Sequence, residues 1–318
     1  MELPPPLRHA VDRALSGVTV ADLAAAAAAL SQRYREERSD GQPHVANATD
    51  ALAYVAVRMP ATYAAIRASL AAVAAARPDF APKTTLDVGS GPGTAVWAAA
   101  DCWPGLAEAF LVEARPVFRD CGAALAAEAP LPQLTWHLAD FGVEAIDGAP
   151  RDLVTLAYVL NELATEEPVV AQLWRLTADT LVIVEPGTPA GFQRVLAARR
   201  QLIAAGAHVL APCPHGMDCP LLPPDWCHFA QRVARSRIHR QAKTAAVPWE
   251  DEKFSYVAVS RYPPQIGGTR VIARPRKAGG HVTVKLCRPD ATAGHQLFAR
   301  RDGVAFKRAR RSDWGSVL

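Results

Sequence analysis

Leu86-Asp87-Val88-Gly89-Ser90-Gly91-Pro92-Gly93-Thr94 decides the fold of this chain. The apolar, β-prone run at 84–88 leads into three glycines at alternate positions, and an alanine-rich, helix-prone run at 95–100 follows. A strand must therefore turn sharply into a helix. Glycine permits that turn and lets a ligand approach the backbone with no Cβ in the way. Dinucleotide sites prefer G-x-G-x-x-G, whose third glycine serves helix packing. Here the pattern is G-x-G-x-G, an acid sits two positions before the first glycine, and Thr94 holds the dinucleotide pattern's last position.

Working outward, Ala109-Phe110-Leu111-Val112-Glu113 reads as a second strand ending in an acid. A carboxylate there can accept both hydroxyls of a ribose. Thr135-Trp136-His137-Leu138 reads as a third strand, followed by Ala139-Asp140; residues 152–157 and 180–184 read as a fourth and a fifth. Near-continuous apolar strands alternating with helical segments predict a parallel sheet covered on both faces. The glycine loop in this setting resembles the first motif of class I methyltransferases that use S-adenosylmethionine (SAM). That resemblance implies an α/β Rossmann-like sheet with SAM held by Asp87, Gly89, Gly91 and Gly93. Glu113 would bind the ribose and Asp140 would face the adenine amino group.

Three sections follow from composition. Residues 1–80 read as helical, with alanine-rich amphipathic patterns at 7–15, 20–38 and 50–76. Thr19 or Asp22 would open the second helix and Thr49 or Asp50 the third, while Pro60 would kink or split the third. Residues 81–205 hold the βα series. Residues 206–318 lose the Ala/Leu periodicity to prolines, cysteines, histidines and then basic residues. Late strands are expected at 254–260 and 282–286, as the antiparallel hairpin that ends the sheet. No apolar run approaches the ~18 residues of a membrane span, so no membrane partner is expected. The opening Met1-Glu2-Leu3-Pro4-Pro5-Pro6 lacks a secretory or transit pattern. The chain therefore reads as cytoplasmic, with reduced cysteines.

The net charge of +4 hides an asymmetry: residues 228–318 carry 19 Lys/Arg against 6 Asp/Glu, a net of +13, while residues 1–227 carry −9. A positive field on that scale attracts polyanions by releasing their counterions; nucleic acid is the leading partner, and RNA fits a cytoplasmic methyltransferase best.

Four of the six cysteines lie outside the βα series: Cys213, Cys219, Cys227 and Cys287. The first three sit in a proline-broken loop with little apolar material of its own. Metal bonds could hold such a loop folded, since binding energy then becomes folding energy. Soft thiolates suit zinc or an iron–sulfur cluster, and the spacing is unlike the C-x₂-C pairs of zinc ribbons. His215 and His228 leave a mixed Cys/His zinc site open.

A wider resemblance covers most of the chain. It rests on 86–94, Leu156-Ala157-Tyr158-Val159-Leu160-Asn161-Glu162-Leu163, Val184-Glu185-Pro186-Gly187-Thr188-Pro189 and 211–220. It continues in Asp225-Trp226-Cys227-His228-Phe229, Glu252-Lys253-Phe254-Ser255-Tyr256 and Val284-Lys285-Leu286-Cys287-Arg288-Pro289. These stretches are similar to the methyltransferase-like family associated with assembly of the mitochondrial ribosomal small subunit, which has many bacterial members. The resemblance implies that Cys213, Cys219, Cys227 and Cys287 ligate a [4Fe–4S] cluster. It also implies SAM binding and association with small-subunit ribosomal RNA or the pre-small subunit. The absent leader suggests the bacterial branch, and a monomer off the ribosome is expected. For catalysis, Asn161 is placed to hydrogen-bond a target base and Glu162 to accept a proton; the alternative is that both cap the next helix. The Asn/Asp-Pro-Pro-aromatic motif of amine methyltransferases is missing here.

Overall fold

A computed structural model describes residues 1–35, 45–127 and 129–318. Four helices lead the chain: α1 (Pro5–Ala14), α2 (Val20–Arg35), α3 (Ala48–Val57) and α4 (Met59–Ala76). The end of the second expected helix, 36–38, lies outside the described residues. Thr19 opens α2 by accepting the Asp22 N–H at 3.1 Å. The cap of α3 is Asn47, whose Oδ1 accepts the Asp50 N–H at 3.0 Å, and not Thr49 or Asp50. Asp50 instead reaches back to the Ala46 N–H. The helical run is split at Arg58, with Pro60 in the first turn of α4, where a missing N–H costs nothing.

By length and composition alone α4 could cross a membrane, which corrects the expectation that no run is long and apolar enough. It is a core helix: Met59, Ala61, Ile66, Leu70 and Val73 are all buried, and it lies against α5 (Thr94–Cys102) and the sheet.

The main sheet contains β1 (Thr84–Val88), β2 (Glu108–Glu113), β3 (Gln133–Leu138), β4 (Arg151–Ala157), β5 (Thr177–Pro186), β6 (His208–Ala211), β7 (Phe229–Ala234) and β8 (Trp249–Ser260). Its order is β3-β2-β1-β4-β5-β8-β6, with β7 also on β8. The first five strands run parallel, and β8 is antiparallel to β5, β6 and β7. Pleating sends Val182 and Val184 of β5 to one core layer, shared with α3 to α5, and Leu181 and Ile183 to the other. The second layer is closed by α7 (Glu167–Arg175) and α8 (Pro189–Ala204); α6 (Pro116–Ala126) follows β2. Strand β1 is pinned at its start by Asp152, whose Oδ2 accepts the Lys83 and Thr84 N–H groups at 2.8 and 2.9 Å.

The expected terminal hairpin is corrected in part. The strand at 254–260 does join the main sheet, but its antiparallel partners are β5, β6 and β7, not the strand at 282–286. That strand, β11 (His281–Cys287), belongs to a second sheet with β9 (Arg270–Val271), β10 (Arg276–Lys277) and β12 (Ala293–Ala299). Its alternate residues Val282, Val284 and Leu286 bury with Ala309 of α10 (Val304–Arg311), so its apolar face is consumed there. A short helix, α9 (Arg237–Ala242), joins β7 to β8.

Candidate functional site

Strand order reverses between β1 and β4, and in open α/β sheets the crevice at that switch point takes the ligand. The glycine loop lies at this crevice. Gly89, Gly91 and Gly93 all adopt positive φ (64°, 54° and 80°), which glycine alone tolerates without strain. Their surroundings differ. A Cβ at Gly89 would meet Val159 Cγ2 at 2.5 Å, one at Gly93 would meet Leu111 at 3.3 Å, and one at Gly91 would meet nothing within 4 Å. Gly91 therefore keeps a clear face, with open space where a side chain would stand.

Glu113 crosses from β2 to this loop. Its Oε2 accepts the Gly91 N–H at 2.7 Å and its Oε1 the Arg115 N–H at 2.8 Å. Burial raises its pKa, opposed by those two N–H donors. Asp87 is buried, and its Oδ1 accepts the Thr155 hydroxyl at 2.8 Å. Desolvation, with Glu113 adding to it, pushes its carboxyl up to about 7. Asp87 Oδ2, Ser90 Oγ and Thr94 Oγ1 are buried without hydrogen-bond partners among the described residues. Orphaned polar atoms of this kind call for a polar ligand, so the cradle fits a nucleoside cofactor in its chemistry. Asp140 is exposed, and its Oδ1 accepts the Gly142 N–H at 3.1 Å.

Asn161 and Glu162 fall in a single helical turn, Leu160–Glu162. The following helix α7 starts at Glu167 with Glu166 as its cap, so the capping alternative does not hold. Desolvation, then the charges of Glu113 and Glu185, raise the Glu162 carboxyl to about 7, which suits a proton acceptor near neutrality.

Sequence reasoning missed what holds this turn. Tyr158 has φ 62°, an outlier for a bulky side chain. The turn is kept in place by Glu185, fully buried at the end of β5. Its Oε1 accepts the Val159 and Leu160 N–H groups at 3.1 and 2.9 Å, and its Oε2 pairs with Arg194 at 3.2 Å. Tyr158 Oη donates to Glu252 at 2.9 Å. An acid ending an otherwise apolar strand was the available signal.

The cysteines form the second feature. Cys213, Cys219, Cys227 and Cys287 all line one pocket, together with His215. Cys287 Sγ lies 3.6 Å from His215 Nε2. His228 is elsewhere, stacked on Trp226 at 4.9 Å and edge-on to Trp314. Among the described residues no group of three or more His, Cys, Asp or Glu side chains stands arranged to hold a metal ion. The donors fit in kind rather than in finished geometry: four thiols share one pocket wall. Burial raises Cys213, lifts Cys227 well above its ordinary value and pushes Cys287 up to about 12. Protonated, crowded thiols are what a thiolate-binding metal would deprotonate. Lys285 of β11 also pairs with Asp225, tying the cysteine loop to the second sheet.

The basic residues divide. Arg232 pairs with Asp251 at 2.8 Å, and Arg235 and Lys243 share Glu250 at 2.9 and 3.4 Å. Arg276, Arg301, Lys307, Arg308 and Arg311 are exposed and form no ion pair among the described residues. Most of the exposed, unpaired positive charge of this segment thus lies on α10 and the turns beside it, with Arg237 and Arg240 on α9 and Lys253 on β8 besides.

This strand order, with its glycine loop at the switch point, defines the α/β Rossmann-like fold of class I methyltransferases. Residues 48–318 match the model of the family described as mitochondrial small ribosomal subunit Rsm22, and the chain belongs to that family. It is 33% identical over 300 residues to the human "Ribosome assembly protein METTL17, mitochondrial", covering 84% of this chain and 62% of that protein. It is 24% identical over 334 residues to "Rsm22-cox11 tandem protein 2, mitochondrial" of Schizosaccharomyces pombe, covering 84% of this chain and 43% of the relative. Among solved structures, SAM-bound magnesium protoporphyrin IX methyltransferase from Synechocystis is similar at 13% identity and a TM-score of 0.41, covering 73% of this chain and 92% of that one. The chain thus spans less than two thirds of the length of these curated relatives. The cytoplasmic expectation is corrected: the relatives are mitochondrial proteins, which points to the mitochondrion. That expectation rested on the first six residues, which are no guide in a chain covering part of its relatives.

Proposed function

We propose that this chain is a SAM-dependent, methyltransferase-like factor that binds small-subunit ribosomal RNA or the pre-small subunit during its maturation, as a monomer off the ribosome. The observation that carries the reading is the clear face of Gly91, set beside the buried, partnerless Asp87 Oδ2, Ser90 Oγ and Thr94 Oγ1. Asp87, Gly89, Gly91, Gly93, Glu113 and Asp140 would hold SAM, which supplies an activated methyl group. Asn161 would orient the acceptor base, and Glu162 would take its proton. Orientation supplies most of what methyl transfer needs.

In this reading Cys213, Cys219, Cys227 and Cys287 hold a [4Fe–4S] cluster, with zinc as the alternative metal. Its role is structural: it pins the cysteine loop to β11 and so presents the basic surface rigidly. Support comes from the four thiols sharing one pocket. A second reading is a non-catalytic assembly factor that retains SAM and the metal centre. It is favoured by Asn161-Glu162-Leu163 standing where amine methyltransferases carry their proline-aromatic motif.

The test is complementation of a strain lacking the protein, with methylation mapped on small-subunit RNA. A methyl mark that is lost, and restored by wild type but not by Gly91→Arg, supports the enzyme. Normal methylation beside defective subunit assembly supports the second reading.

A further inference from the structure

Two buried arginines are bonded to the loop that carries the pocket cysteines. Arg199 of α8 is 3% exposed. Its Nη2 donates to the carbonyls of His215 and Met217 at 2.9 and 2.8 Å, both between Cys213 and Cys219. Its Nε is buried with no partner among the described residues. Arg270 of β9 is 9% exposed. Its Nε donates to the Pro212 carbonyl at 2.8 Å, next to Cys213, and its Nη1 to the Gly315 carbonyl at 2.7 Å.

Among the described residues neither guanidinium pairs with a carboxylate. Carbonyls satisfy donors but leave the charge uncompensated. A buried ion is costly even after the protein relaxes, so buried cations are kept where an anion meets them. Both guanidiniums are bonded to the backbone of the cysteine loop itself, Arg199 between Cys213 and Cys219 and Arg270 beside Cys213, so an anion held by those cysteines would lie next to them.

We propose that Arg199 and Arg270 are the countercharges of a dianionic four-thiolate metal centre at Cys213, Cys219, Cys227 and Cys287. The proposal rests on the reading that these cysteines hold a metal. Loading releases four thiol protons to solvent. Four thiolates around a core bearing two positive charges leave two negative charges, and two guanidiniums neutralise them. Zinc and an oxidised four-iron cluster share that charge, so the arginines serve either.

The test uses the full chain, purified anaerobically, as wild type, Arg199→Gln, Arg270→Gln, Arg199→Lys and Arg270→Lys. Iron, sulfide and zinc are assayed first, which separates the two metals. Metal loss to a chelator is then timed. The glutamine variants should lose metal about 10-fold faster or more, the usual scale for partners of metal ligands. The lysine variants, which keep the charge without the fork, should stay near wild type. With iron bound, the midpoint potential should fall in the glutamine variants, because the reduced centre carries one more negative charge. Wild-type retention in both glutamine variants overturns the proposal, as does lysine as labile as glutamine. If the glutamine variants do not fold, lysine variants that hold metal support it and lysine variants that lose metal refute it. A wild type free of iron and zinc overturns the metal reading itself.

Discussion

At Gly91 an added side chain would enter open space, whereas at Gly89 it would strike Val159. Both positions have positive φ, which costs an L-residue about 1 to 2 kcal/mol. The two substitutions should therefore fail differently. Gly91→Arg is expected to abolish SAM binding in calorimetry while melting within a few degrees of wild type. Gly89→Ala adds overpacking of about 1 to 3 kcal/mol and should lower the melting temperature markedly. Asp87 yields a second test. Its carboxyl sits near 7 in the fold against 3.8 unfolded, so the native state binds more protons between those values. Stability contributed by this group therefore falls as pH rises from about 4 to about 7. Asp87→Asn keeps an acceptor for Thr155 and removes the titration. It should be more stable than wild type at pH 8 by up to about 4 kcal/mol and lose that advantage near pH 4; denaturant melts across pH check both ends.

The central strands were legible because each is apolar on both faces, a property written in contiguous residues. Partnering is not local. The strand at 281–287 alternates cleanly, yet nothing in those residues says that α10 rather than the main sheet covers its apolar side. The sequence reading places the cap of α3 two or three positions late because Asn47, Thr49 and Asp50 are all competent caps, and only geometry selects Asn47. The basic segment shows the same limit. Its charges are visible in sequence, but Arg232, Arg235 and Lys243 face acids drawn from β8. That division makes a prediction. Reversing Lys307, Arg308 and Arg311 to glutamate should weaken RNA binding strongly and shallow its salt dependence by about one per lost phosphate contact. Reversing Arg232 should change neither by more than a small amount, as filter binding across salt concentrations would record.

Across the whole molecule, the cysteine pocket is where three parts of the chain meet. It takes Cys213, Cys219 and Cys227 from the loops around β6 and β7, Cys287 from the second sheet, and Phe192, Val195 and Leu196 from α8. The four cysteines were legible as a set; Arg199 and Arg270 were not, because charged residues are read as surface by default. Periodicity was the unused clue for Arg199, which falls on the stripe of Val195, Ala198 and Leu202 that α8 buries. Apart from this pocket, the second sheet has its own small core of Val271, Val282, Val284, Leu286 and Ala309. So small a core supplies little stability alone. Removing the proposed metal, or Cys219→Ser, should therefore loosen residues 270–318 before the main sheet. Hydrogen exchange is expected to rise first in β9 to β12 and α10, while β1, β4 and β5 keep their protection. Uniform exchange across both sheets would mean that the pocket does not join them, and that the basic helix is held by the small core alone.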